Sequence, residues 1–155
     1  MVMVELDFEV DDKSLREDLQ NSPEMANPAA LEETYFVMPV QFVAAGKNLL
    51  AFPGSELARR PLPILGFATH LVQCVDDARE NGRGECSLAG GGRLICMRRG
   101  DLIEMSSSLV VGPGVEIPLH QLAVAAATFR DRVRNLLAVR VPALKHHPYW
   151  NNWFG

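Results

Sequence analysis

The sequence predicts an α+β fold in a single domain spanning residues 1–155, with about six strands in one antiparallel sheet and two main helices on one face of that sheet. Short runs in which apolar and polar residues alternate indicate strands. Two longer runs with apolar residues three or four positions apart indicate helices. The order, β-β-β-α-β-β-β-α, lacks the regular strand–helix alternation that leads to a parallel sheet. A chain of 155 residues is long enough to enclose one hydrophobic core.

The first strand is predicted over residues 2–10, where apolar and polar side chains alternate with a period of two. Its apolar side chains would face the core. The opposite face carries three carboxylates, from Glu5, Asp7 and Glu9. The first strand is therefore predicted to be half-buried, with an acidic outer face.

Residues 11–33 are polar and contain two proline-bearing breakers, which predict a loop with a short helical turn near residues 15–19. A hairpin follows, with strands over residues 35–43 and 49–52 on either side of a glycine-containing turn. Pro39 lies inside the first of these strands and predicts that the strand is at a sheet edge or bulged.

The second half of the chain holds both long helices and two further hairpins. One helix is predicted over residues 64–81, and the other from Pro118 to about Val141. Glycine-bearing turns at residues 90–92 and 99–100 join three strands between them. Counting from these turns makes Cys86 and Cys96 cross-strand neighbours and places six apolar side chains on one face: Cys86, Leu88, Leu94, Cys96, Ile103 and Met105.

No catalytic, cofactor-binding or metal-binding residue is predicted. Gly90-Gly91-Gly92 leads into a strand and lacks the Lys-Ser/Thr pair of a phosphate loop, so it is interpreted as a hairpin turn. The four histidines do not have the spacing that brings two metal ligands onto one helix face. Three cysteines at scattered positions are expected to be reduced thiols in the cytosol.

Charge is distributed unevenly along the chain. Residues 1–33 carry ten acids and two bases, a net −8, whereas residues 116–155 carry two acids and five bases, a net +3. The two ends could attract each other within the fold, or the acidic region could meet a basic partner. A pI near 5.5 argues against nucleic acid as that partner. No apolar run approaches the roughly 20 residues that span a membrane, and the acidic start differs from a signal peptide, so a cytoplasmic location is expected.

The last ten residues hold both tryptophans and one of the two tyrosines. Two hypotheses account for them. The rings fold back and cover one end of the domain, or they form a protein-binding hot spot, where Trp and Tyr are enriched. The hypothetical partner-binding set therefore combines the acidic strand with this tail: Glu5, Asp7, Glu9, Tyr149, Trp150, Trp153 and Phe154.

Three segments carry a resemblance to other proteins. They are Pro61-Leu62-Pro63-Ile64-Leu65-Gly66-Phe67-Ala68, Ala89-Gly90-Gly91-Gly92 with Arg99-Gly100-Asp101, and His147-Pro148-x-Trp150-x-x-Trp153. In these segments the chain resembles small uncharacterised bacterial proteins of unknown function, a resemblance that spans most of the sequence and implies no catalytic residue. In size, acidity and lack of a predicted active site it is similar to bacterial immunity proteins, which neutralise a toxin by binding it.

The leading hypothesis is a non-enzymatic cytosolic binding protein, such as an immunity-type or regulatory inhibitor that contacts a basic protein partner. The alternative is an enzyme or small-ligand-binding protein with a pocket between sheet and helices. A homodimer is a third hypothesis, with the tail or a sheet face bearing Ile95, Met97 and Leu102 as its interface.

Overall fold

The computed structural model describes residues 3–51 and 59–155 and has an α+β architecture. The fold class is confirmed, but the single six-stranded sheet is wrong, because the strands form two four-stranded antiparallel sheets. Sheet A contains β1 (Val4–Phe8), β2 (Val37–Ala44), β3 (Lys47–Asn48) and β4 (Arg60–Pro63). Sheet B contains β5 (Arg83–Ser87), β6 (Arg93–Arg99), β7 (Leu102–Ser107) and β8 (Val115–Pro118).

Two long helices, α3 (Ile64–Asn81) and α4 (Leu119–Arg140), pack against each other. Shorter helices precede and follow them along the chain. The shorter helices are α1 (Asp12–Leu19), α2 (Pro28–Glu33) and α5 (Trp150–Phe154), with 3-10 turns at Pro23–Met25 and Pro142–His146. The segment predicted as a loop is thus largely helical. Asp11 Oδ1 accepts a hydrogen bond from Ser14 N at 3.0 Å, and Asn27 Oδ1 accepts one from Ala30 N at 2.8 Å. Asn27, which was interpreted as part of a breaker, is therefore the N-cap of α2 and is followed by a proline in its first turn.

Strand β2 lies at the centre of sheet A, with β1 on one side and β3 and β4 on the other. The prediction that Pro39 places this strand at an edge or a bulge is wrong. The carbonyl oxygen of Pro39 accepts a hydrogen bond from Glu9 N at 3.0 Å, just beyond the end of β1. The missing proline N–H therefore interrupts no bond in the middle of the ladder. Pro61 lies opposite Pro39, so it turns its own peptide groups toward the outer edge, where a proline is tolerated.

Sheet B has the predicted buried face but not the predicted pairing. All six apolar side chains assigned to that face are buried. Cys86 pairs with Leu94 rather than with Cys96, because the first turn is centred on Gly90, one residue earlier than predicted. The second turn is centred one residue later than predicted. Each error shifts the pairing by two residues, which leaves the face unchanged because side chains alternate with a period of two.

The two main helices cover this buried face, α3 over β5 and β6 and α4 over β7 and β8, as predicted. Two glycines permit the closest approaches of α3 to its neighbours. A Cβ atom on Gly84 would lie 2.0 Å from the carbonyl oxygen of Cys74, and one on Gly66 would lie 2.0 Å from that of Glu32. Any side chain at either position would therefore push β5 or α2 away from α3.

Candidate functional site

The acidic strand face, defined as Glu5 and Asp7 on β1 and Glu9 directly after it, lies on the outside of sheet A. Arg59 reaches two of these carboxylates: its Nη1 lies 2.5 Å from Asp7 Oδ1, and its Nε lies 3.1 Å from Glu9 Oε1. Glu5 accepts a hydrogen bond of 3.1 Å from Gln41 Nε2. The Asp7 and Glu9 side chains nevertheless keep 43% and 63% of their surface exposed. The face is therefore partly neutralised by the chain's own arginine and remains accessible.

Strand β1 stands at the edge of sheet A, beside β2. Its odd-numbered residues turn their peptide groups toward β2, as the hydrogen bonds from Ala45 N to Met3 O and from Glu9 N to Pro39 O show. The even-numbered residues, such as Leu6, must then turn theirs outward. The acidic side chains consequently stand in a row beside an outward-facing edge of backbone donors and acceptors.

The acidic start and the basic end of the chain meet within the fold. Arg140 Nη2 lies 2.6 Å from Asp12 Oδ1, which joins the end of α4 to the start of α1. The guanidinium of Arg132 lies 4.8 Å from the centre of the Phe8 ring, and its Nη2 lies 3.5 Å from Phe8 O. Some of the opposite charges at the two ends of the chain are therefore paired within the fold. The recognition of a basic partner stays a prediction.

The aromatic tail splits into buried and accessible rings. Trp153 is only 1% exposed and Phe154 is also buried, whereas Tyr149 is 44% exposed. Trp153 packs between His147 and Tyr149, with ring centres 5.2 Å and 5.9 Å away. The half-buried Trp150 contacts Phe154 at 4.6 Å between ring centres. Of the four tail residues predicted to bind a partner, Tyr149 and part of Trp150 are accessible to another molecule.

His147 attaches the tail to the N-terminal third, a role that the sequence analysis missed. Its Nδ1 accepts a hydrogen bond from Tyr149 N at 3.0 Å, and its Nε2 lies 2.8 Å from Ala26 O. Both bonds are satisfied when Nε2 carries the proton of a neutral imidazole. The sequence feature that could have indicated this role is the position of His147 directly before Pro148 and the aromatic residues.

The face proposed for homodimerisation lies on the outside of sheet B, away from α3 and α4. Ile95 and Met97 are half-buried there, and Leu102 is exposed. Two ion pairs lie on the same face, Arg83 with Glu85 and Arg99 with Glu104. Homodimerisation through this mixed surface stays a prediction.

A cavity of about 290 Å³ lies between α2, β4, α3 and the end of β5. Its buried lining is apolar and includes Leu62, Phe67 and Leu88. Four polar side chains line its more exposed part: Glu32, Glu33, His70 and Ser87. His70 Nε2 lies 3.6 Å from Glu32 Oε1. These residues were not predicted from the sequence, because both glutamates lie in a segment predicted to be a loop.

The three cysteines are buried thiols. Cys74 Sγ on α3 and Cys96 Sγ on β6 lie 3.4 Å apart and share a hydrogen bond. Donating that hydrogen bond, together with burial, raises the pKa of the Cys96 thiol, and accepting it lowers the pKa of Cys74. Burial raises the pKa of Cys86 to about 12. With raised pKa values, the enclosed thiols of Cys86 and Cys96 are poor nucleophiles and poor metal ligands at neutral pH.

Two further properties concern the parts of the chain that the structure describes. Within residues 3–51 and 59–155, no three His, Cys, Asp or Glu side chains are close enough together to hold a metal ion. Over the same ranges, no helix combines the length and apolar character needed to cross a membrane.

Comparisons of the chain with models of protein families, with curated proteins and with solved structures found no match.

Proposed function

We propose that this chain is a non-enzymatic binding protein that recognises a basic surface of a protein partner through its acidic strand face. The observation that carries the proposal is the row of Glu5, Asp7 and Glu9 along an edge strand, with Glu5 and Glu9 exposed and Asp7 half-buried. An inhibitor of the immunity or regulatory type, acting in the cytoplasm, is the concrete form of this function.

The electrostatics of β1 support binding of this kind. Three carboxylates separated by two residues each extend over about 13 Å of strand, since each residue adds about 3.3 Å. A row of like charges attracts a basic surface over a distance comparable to the Debye length and accelerates association. Partner lysines and arginines would therefore be drawn to this side of sheet A.

Arg59 does not prevent such an interaction. Ion pairs between exposed side chains contribute only about 0–1 kcal/mol, because solvent screens them and ordering both side chains costs entropy. A partner cation can replace Arg59 at Asp7 or Glu9 with little loss of stability. In the unbound protein, Arg59 limits repulsion between the neighbouring carboxylates.

Affinity capture from the source lysate tests the proposal. The bait is the wild-type chain or the variant Glu5→Lys/Asp7→Lys/Glu9→Lys. The matched control reverses three exposed acids elsewhere: Glu24, Glu80 and Glu116. Both variants change the net charge by the same amount, so a difference between them reports the position of the charge.

The proposal predicts a protein that is captured by the wild type and by the control but lost with the β1 variant. Its binding should also weaken between 50 and 200 mM salt, because the contact is electrostatic. Equal capture by all three baits, or equal loss with both variants, would contradict a role for the acidic strand face.

A further inference from the structure

The cavity between α2 and α3 has a different character from the acidic strand face. Its buried side is made by the apolar side chains of Leu62, Phe67 and Leu88. Phe67 is held in place by an edge-on contact with Phe129, with 5.6 Å between ring centres. This side of the cavity is therefore rigid and suited to an apolar group.

The other side of the cavity carries concentrated negative charge. Glu32 and Glu33 are the last two residues of α2, and no basic residue lies in the last turn of that helix. Carboxylates at a helix C-terminus are unfavourable, because the helix dipole is also negative there. A cation bound between α2 and α3 would relieve this repulsion.

Among the described residues, no arginine or lysine forms an ion pair with Glu32 or Glu33. Arg60, on β4, donates from Nη2 to Ala89 O and Gly91 O at 2.7 and 2.6 Å, so it stabilises the β5–β6 turn. Among the side chains that line the cavity, His70 is the one that can carry positive charge, and it lies 3.6 Å from Glu32. A ligand ammonium can share the same carboxylate.

We propose that this cavity binds a small organic amine with an apolar body, whose ammonium group contacts Glu32 and Glu33. An anionic ligand would be repelled by the two carboxylates. A bare metal ion would leave the apolar lining unused, and the lining offers no third carboxylate. An ammonium on a hydrocarbon group satisfies both sides of the cavity, and the charge-assisted hydrogen bonds fix its orientation. The site is separate from the acidic strand face and does not depend on its function.

Titration followed by NMR tests this site, with 2-phenylethylammonium as the probe and 2-phenylethanol as its neutral counterpart of the same shape. The proposal predicts shifts of the Leu62 and Leu88 methyl signals and about tenfold tighter binding of the amine, as expected for a hydrogen bond to a charged group. Equal affinity for amine and alcohol, or no shift of these methyl signals at millimolar amine, would overturn it.

Three variants keep the test specific. Glu32→Gln and Glu33→Gln preserve side-chain shape and should each weaken amine binding several-fold while leaving alcohol binding unchanged. Glu24→Gln is the control, since Glu24 is exposed and lies outside the cavity lining. Unchanged amine affinity in both cavity variants would overturn the proposal, as would an equal loss in the control.

A parallel titration with N-acetyl-lysine methylamide separates the two sources of an ammonium: tighter binding of that compound would assign the site to a lysine side chain rather than to a free amine.

Discussion

The two ends of the chain supplied the predicted partner-binding residues, and the fold uses them in different ways. The carboxylates of β1 lie on the outside of sheet A, while Trp153 and Phe154 of the tail are enclosed. Large aromatic rings are frequent both in cores and in interfaces, so their presence alone does not distinguish a clasp from a hot spot. Carboxylates are rarely part of a core, so the row on β1 indicates a surface feature more reliably than the aromatic rings do.

The largest expected effect concerns the buried part of the tail. Trp153→Ala should lower the free energy of unfolding by about 3–5 kcal/mol, because it leaves a cavity between His147 and Tyr149. Urea denaturation followed by circular dichroism measures this loss. A change below about 1 kcal/mol would show that the tail adds little to the fold.

Trp153→Phe is the matched variant for this substitution. The indole Nε1 is buried and has no hydrogen-bond partner among the described residues, so replacement by phenyl removes an unsatisfied donor as well as some packing. The variant should therefore lose clearly less stability than Trp153→Ala. An equal loss would indicate that the indole N–H is satisfied.

A smaller effect is expected at the other end of the chain, where Arg59 pairs with Asp7 and Glu9. Arg59→Ala should reduce the free energy of unfolding by no more than about 1 kcal/mol, because these ion pairs face solvent. It should also tighten binding of the captured partner by a few-fold, since two carboxylates lose their internal cation. Isothermal titration measures the affinity, and weaker binding would show that Arg59 itself contacts the partner.

Asp18 contributes to the fold, in contrast to the outward-facing carboxylates of the acidic strand face. Its Oδ2 accepts a hydrogen bond of 2.8 Å from Phe36 N, and burial raises its pKa above the ordinary 3.8. A carboxyl with a raised pKa stabilises the fold when protonated, and that contribution is lost as the pH rises through its titration. Asp18→Asn keeps an oxygen acceptor without the charge, so it should gain stability relative to wild type as the pH rises from 3 to 7. Urea denaturation across this range checks the trend, and the opposite trend would contradict the role of burial.

The smallest effect is expected for Tyr149→Ala. This ring is 44% exposed, and the bond to His147 is made by the backbone N–H of residue 149, which the substitution keeps. The free energy of unfolding should change by less than about 1 kcal/mol, and partner capture should persist. Normal stability with lost capture would instead identify the accessible part of the tail as the hot spot.

Local periodicity allowed parts of the fold to be predicted, and long-range contacts explain what was missed. Alternation correctly predicted the buried face of sheet B, and the helical pattern predicted α3 and α4. Strand β4 was missed because it contains Pro61 and Pro63, which suggest a helix start and are tolerated here at an outer edge. The division into two sheets was missed because it depends on strand pairings that no local pattern encodes.

The candidate sites show the same limit. Alternation in β1 predicted the outward direction of Glu5, Asp7 and Glu9, but Arg59 lies about 50 residues away in sequence and its pairing depends on sheet A. The cavity depends on α2, whose cap at Asn27 was interpreted as a breaker. Both features arise from tertiary contacts that no local pattern encodes.

Amide hydrogen exchange, measured on the chain with and without its captured partner, tests the central claim most directly. Binding at the acidic strand face predicts slower exchange in β1 on addition of the partner, with unchanged exchange in α5. Slower exchange confined to residues 149–155, with β1 unchanged, would contradict the account and assign partner recognition to the aromatic tail.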